Sequence, residues 1–223
     1  ATETVPVAGW RWALAWVLAY VALWPAPGYA EAVLVLGALV AIAKLLLQRF
    51  RGGTRLLSHQ AWALTGVLFA AYWLPELFST FDAVNGGHSL AQTVSDLRYL
   101  PFLWLAASAV ASDAGRRTTF TGLAVIMGIW TVDALLQEGF GASPLFSLID
   151  GAKQAISGHG MCTAEEVQRL DRLSGILGPC NLKLGLVLAS LSPFALDAAN
   201  RRWGIAGWLV SAFAVGLVIL LAG

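Results

Sequence analysis

The sequence predicts an all-α fold, a polytopic integral membrane helical bundle of about seven transmembrane helices with a cytoplasmic N-terminus. Three observations predict it. The 223 residues are 58% hydrophobic and only 12% charged, with a mean hydropathy of +0.71, whereas a soluble domain is about 45–50% apolar and about 25% charged. The charged residues gather in short groups separated by apolar runs, many long enough for the roughly 20 residues that cross a hydrocarbon core of about 30 Å. The cations also fall on alternate links between those runs, which orients the bundle.

In order, the apolar segments are 10–24, 31–47, 60–78, 97–112, 118–136, 176–196 and 205–222. Pro25-Ala26-Pro27-Gly28 makes an uncharged turn between the first two. The first run leads through that turn straight into a second one, so no cleavable signal peptide is expected. A basic loop over 48–59 carries Arg49, Arg51 and Arg55, and the other basic links hold Arg116 with Arg117 and Arg201 with Arg202. These three links share one side of the membrane with Arg11 and Lys44. That side has nine of the 14 Lys/Arg against three of the 13 acids (Glu3, Asp113, Asp197), a balance of +6. The other side has five cations against ten acids, −5. The positive-inside rule makes the basic side cytoplasmic.

Three regions follow: 1–136 with five helices, an outer loop over 137–175, and 176–223 with the last two helices. The outer links 79–96 and 137–175 are longer than a connection needs, a mark of functional loops. Within the second, Thr163-Ala164-Glu165-Glu166 is a capping-box pattern that predicts a short helix over 164–170. Upstream, Leu145-Phe146-Ser147-Leu148-Ile149 reads as an amphipathic segment on the membrane surface. Trp10, Trp12, Trp24, Trp73, Trp130 and Trp203 stand near segment ends, as interface belts require.

The candidate functional residues are the charges that an apolar segment should not contain. Each costs about 2.5–3.5 kcal/mol on insertion scales and so needs a partner or a task. They are Glu76, Arg98 with Asp96, Asp133 and Lys183, all in the outer half of the bilayer. Pairing of Glu76 or Asp133 with Arg98 or Lys183 would explain them as ties between helices. Arg172 and Lys183 are different, because they bracket a stretch interrupted by Gly175, Gly178 and Pro179. Irregular backbone at membrane depth is tolerated only inside protein or beside a water-filled cavity. A guanidinium and an ammonium there suit a phosphate. A lipid-linked pyrophosphate would bring its head group to that depth and need an apolar groove for its tail.

Other chemistry is thinly represented. His59, His88 and His159 lie in loops, and no group of His, Cys or carboxylates has metal-ligand spacing, so neither a metal nor another cofactor is expected. Cys162 and Cys180 both belong to the outer, oxidising side, where a disulfide between them is possible. Glycine-rich phosphate loops, a nucleophile elbow and a basic-aromatic nucleic-acid surface are all missing from the pattern.

The stretch Arg172-Leu-Ser-Gly175-Ile-Leu-Gly-Pro179-Cys180-Asn181, followed by an apolar helix, resembles the opening of the shared membrane domain in the O-antigen ligase and O-antigen polymerase superfamily. Cys180 stands between the Pro and the Asn, a departure from the family's pattern. The order of about five segments, an extended outer loop and then this motif is similar too, as is Asp96-Leu97-Arg98 before the fourth segment. The resemblance implies the N-terminal half of a longer enzyme whose general-base His lies in the C-terminal half. It implies transfer of an undecaprenyl-pyrophosphate-linked glycan onto lipid A–core oligosaccharide at the periplasmic face of a bacterial inner membrane. Undecaprenyl pyrophosphate leaves, gripped by Arg172, Lys183 and Arg98, with Asp133, Glu76, Asp96 and Asn181 in support. Polymerase and oligosaccharyltransferase relatives are alternatives within this reading. Outside it stand a transporter or flippase that uses Glu76, Asp133 and Lys183 as an ion relay, and a structural subunit with paired charges.

Overall fold

The computed structural model describes residues 10, 12–51, 57–163, 165, 173–181 and 183–222, and no strand occurs among them. The helices are α1 (Ala13–Ala22), α2 (Pro27–Arg51), α3 (His59–Ser79), α4 (Gly86–Ser95), α5 (Tyr99–Ala109), α6 (Asp113–Phe140), α7 (Pro144–Ser157) and α8 (Leu184–Ala222). Three single 3₁₀ turns, Thr80–Asp82, Asp96–Arg98 and Gly175–Leu177, punctuate them. Among the described residues, four helical stretches are long and apolar enough to cross a membrane: Pro27–Phe50, His59–Asp82, Asp113–Phe140 and Leu184–Ala222. The protein is therefore a helical membrane protein. The helix expected over 164–170 and the side chain of Arg172 lie outside the described residues.

The chain forms two compact units, Ala1–Leu23 with Pro27–Thr119, and Trp24–Ala26 with Phe120–Gly223. In the first unit, α1 and α2 are antiparallel. Lys44 lies over the Trp10 ring, Ala13 shares a buried cluster with Ala41, and Tyr20 packs on Leu34. Helix α5 runs parallel to α2: Arg98 reaches Glu31, Phe102 lies against Gly37, and Leu105 and Ala109 pack with Ala41. A Cβ on Gly37 would stand 3.0 Å from the Phe102 ring, so a larger residue there requires the ring to give by a few tenths of an ångström.

A second antiparallel pairing joins α3 to the α4–α5 segment. Thr80 lies by Gly86, Trp73 by Thr93, Tyr72 by Asp96 and Trp62 by Trp104. The sequence reading placed a long loop over 79–96 and began the fourth segment at Leu97. Instead, Asn85 caps a helix by accepting from His88 N, and α4, the 3₁₀ turn and α5 form one nearly continuous helical rod over 86–109. Its buried Thr93 and Asp96 are satisfied within the protein, the Thr93 hydroxyl donating to Ser89 O and Asp96 accepting from Tyr72 of α3; a hydropathy reading counts these residues as loop.

In the second unit, α6 packs Leu123, Met127, Trp130 and Ala134 into the core, and α8 contributes Leu184, Val187, Leu188 and Leu191. Between them sits the buried 3₁₀ turn: a Cβ on Gly175 would meet Leu184 at 3.2 Å and Ala134 at 3.4 Å. Helix α8 is 39 residues long but reverses at Gly204, whose φ of 66° and ψ of −156° lie in a region that only glycine occupies readily. Gly185 accordingly lies against Ile219 and Ala222, so the arms 184–203 and 205–222 are antiparallel. These arms are the last two segments read from the sequence. The turn falls at Gly204 rather than at Asn200-Arg201-Arg202, which stays helical with Arg201 bonded to Asp197 at 2.5 Å.

Candidate functional site

The first unit brings several of the singled-out charges to one level. Arg98 ends the 3₁₀ turn before α5, and its Nη2 donates to Glu31 Oε2 at 2.9 Å. Both side chains remain partly exposed, 30% for Arg98 and 47% for Glu31, so the pair is open to exchange. Its guanidinium also lies 5.5 Å from the Tyr99 ring centroid, in cation–π contact. One turn away, the Tyr72 hydroxyl donates to Asp96 Oδ2 at 3.1 Å. Arg98 Nε and Glu76 Oε2 are buried without a hydrogen-bond partner among the described residues. A buried polar atom left unbonded costs about 1–3 kcal/mol.

Directly beside this cluster is an open apolar groove of about 310 Å³ lined by Leu68, Phe69, Tyr72, Tyr99, Phe102 and Leu103. Tyr72 and Tyr99 meet edge to face with centroids 6.5 Å apart. They belong to both environments, polar at one end and apolar along the ring. The arrangement can take an anionic group on Arg98 while a hydrocarbon chain occupies the groove.

Depth follows from the helix pairings. Arg98 stands level with Glu31, so Thr93 and its partner Trp73 stand near the first turn of α2. From Pro27 to Lys44 on α2 is about 26 Å at 1.5 Å per residue, close to the hydrocarbon thickness of roughly 30 Å. Arg98 lies about 8 Å below the Trp73 level.

The remaining candidates belong to the second unit, and their local contacts differ from the expected ion pairs. Asp133 is 2% exposed and has no ion pair among the described residues; its carboxylate accepts from Ser143 Oγ at 2.6 Å and Leu145 N at 2.9 Å. Asp133 is thus an anchor for the first turn of α7, which Ser143 also caps through Phe146 N. A backbone donor freed at the helix start is one of its two partners. Asn181 is likewise a helix-start residue, accepting from Lys183 N at 3.1 Å. Lys183 itself points to the surface and has no ion pair among the described residues. In the first unit, Arg98 pairs with Glu31, not with Glu76, because the parallel register of α2 and α5 puts Glu31 at its level.

The interrupted backbone is fastened at three points. Gln137 Oε1 accepts from Gly175 N at 2.6 Å, and its Nε2 donates to Ser174 Oγ at 3.4 Å. Gly178, at φ +79°, lies under the Phe146 ring of α7. Cys162 and Cys180 form a disulfide with their Cα atoms 5.5 Å apart. Glu31 and Gln137 were missed in the sequence for different reasons. Glu31 stands at the edge of an apolar segment and reads as a boundary marker, and Gln137 is an uncharged residue at a helix end. A register argument pairing α2 with α5 would have found the first; nothing local signals the second.

In comparison with known proteins, the chain matches no protein-family model, no curated protein and no solved structure.

Proposed function

We propose that this chain is the membrane part of a glycosyltransferase that works on a lipid-linked glycan at the periplasmic face of a bacterial inner membrane. It crosses seven times, through α1, α2, α3, the α4–α5 rod, α6 and the two arms of α8, with the N-terminus in the cytoplasm. The bias of Lys and Arg toward the links holding Arg49, Arg116, Arg117, Arg201 and Arg202 supports that orientation. The substrate is an undecaprenyl-pyrophosphate-linked glycan and the acceptor lipid A–core oligosaccharide, the ligase-type reaction. An O-antigen polymerase, with a second lipid-linked glycan as acceptor, uses the same donor site.

The observation that carries this reading is Arg98, 30% exposed beside an open groove of about 310 Å³ with apolar walls. Breaking the glycosyl–phosphate bond builds negative charge on the leaving diphosphate, and a preorganised cation stabilises it most where water is scarce. Arg98 fills that role, Glu31 holds the guanidinium until the substrate arrives, and the groove takes the first isoprene units. A general base from elsewhere in the protein takes the acceptor proton.

The test is glycan attachment in cells carrying the whole protein with Arg98→Ala or Arg98→Lys, alongside native mass spectrometry with undecaprenyl diphosphate. Attachment should collapse in both, since Lys cannot reproduce the planar fork, and diphosphate binding should fall in Arg98→Ala. Full attachment by both variants at normal abundance refutes the assignment.

A further inference from the structure

The hairpin that joins α3 to α4 has its polarity inside out. Along α4 and the 3₁₀ turn after it, Ser89, Thr93 and Asp96 recur at helical spacing; Thr93 and Asp96 are buried and bonded to Trp73 and Tyr72 of α3. The opposite face presents Leu90, Val94 and Leu97, exposed by 46%, 52% and 43%. Helix α3 carries a matching outward stripe, Leu64, Val67, Leu68, Leu74, Phe78 and, in the turn beyond, Phe81. That stripe runs unbroken from the part of α3 that spans the membrane into the tip. A water-facing hairpin shows the reverse pattern.

Four side-chain donors of the tip are satisfied within it, although Glu76 Oε2 has no hydrogen-bond partner among the described residues. Trp73 Nε1 donates to Thr93 O at 2.8 Å, Ser79 Oγ to Glu76 O at 2.7 Å, Thr80 Oγ1 to Leu77 O at 2.7 Å, and Thr93 Oγ1 to Ser89 O at 3.0 Å. Donors turned back on their own helices are what a site poor in water demands. The residues that seek water, Asp82, Asn85 and His88, sit together at the turn. From Trp73 to Ser79 is about 9 Å along α3. The headgroup layer on each side of a bilayer is about 5–8 Å deep, so the tip spans that layer.

We propose that the α3–α4 tip lies in the headgroup and upper acyl layer of the membrane, with Leu74, Phe78, Phe81, Leu90 and Val94 in contact with phospholipid. It forms the lipid-side wall next to the Arg98 cluster, through the Tyr72–Asp96 and Trp73–Thr93 bonds. The inference needs only that α3 spans the bilayer and stands whether or not the protein is a glycosyltransferase. The test uses the whole protein in phosphatidylcholine vesicles with a bimane label at Phe81→Cys, Leu90→Cys or Val94→Cys, with His88→Cys as control. The two native cysteines are joined to each other and take no label. Lipids brominated on the upper acyl chain should quench the three test positions, and iodide in the water should quench only the label at position 88. Iodide quenching at all three would place the tip in water and overturn the proposal. Protection from both quenchers would do so too, because protein would then cover the stripe. The three sites are exposed, so unchanged thermal unfolding of each variant verifies that the fold is kept.

Discussion

Gly178 fixes how the stretch carrying Pro179, Cys180 and Asn181 is presented, and Gly178→Ala perturbs it in two separable ways. Its φ of +79° with ψ of 164° is a backbone region that only glycine occupies readily, which costs another residue about 1–3 kcal/mol. An added Cβ would also stand 2.0 Å from Phe146 Cε2, and forcing a methyl into such a contact costs about 1–3 kcal/mol. The expected loss is therefore about 2–6 kcal/mol for the single variant. Truncating the ring by Phe146→Ala removes the clash and leaves the backbone cost. In that background Gly178→Ala should cost only about 1–3 kcal/mol. A double-mutant cycle measured by unfolding in detergent micelles isolates the difference, about 1–3 kcal/mol of coupling. An equal cost of Gly178→Ala in both backgrounds refutes the contact and, with it, α7 as the lid over this stretch.

Asp133→Asn keeps one acceptor oxygen but weakens the hold on Ser143 and Leu145; it should lower stability by about 1–3 kcal/mol. Undecaprenyl diphosphate binding by the folded fraction should stay unchanged, and a specific loss of binding would show that Asp133 serves the ligand. Reduction of the disulfide, or Cys162→Ser with Cys180→Ser, opens a loop of 18 residues, worth about 3 kcal/mol in unfolded-chain entropy. Thermal unfolding with and without reductant reads it, and identical curves refute the bond. Glu31→Gln removes the carboxylate that competes with an anion for Arg98. An exposed pair is worth about 0–1 kcal/mol, so diphosphate affinity by titration should rise by at most about fivefold; a fall would mean that Glu31 positions the guanidinium.

Much of the fold was legible because lipid imposes simple rules. Apolar length gave α2, α3, α6 and the two arms of α8, since every backbone group in hydrocarbon must be satisfied within its own helix. The α4–α5 rod was only half read. Ser89, Thr93, Asp96 and Arg98 lower its hydropathy, and whether they face water or α3 depends on a partner helix far along the chain. Arg98 was legible as an anomaly, an arginine opening an apolar segment. Its surroundings were not, because Glu31 and Phe102 come to it only through the parallel register of α2 and α5.

The sequence by itself determined that this is a helical membrane protein, where its long helices run and which side chains are out of place in lipid, because composition and spacing act locally. Tertiary structure alone decided what those side chains do. Asp133 became an anchor for α7, Glu31 the partner of Arg98 and Gln137 the fastening of the broken backbone. The reason is physical: a buried charge takes whichever complement the packing of distant helices brings within about 3 Å, and no stretch of neighbouring residues carries that information.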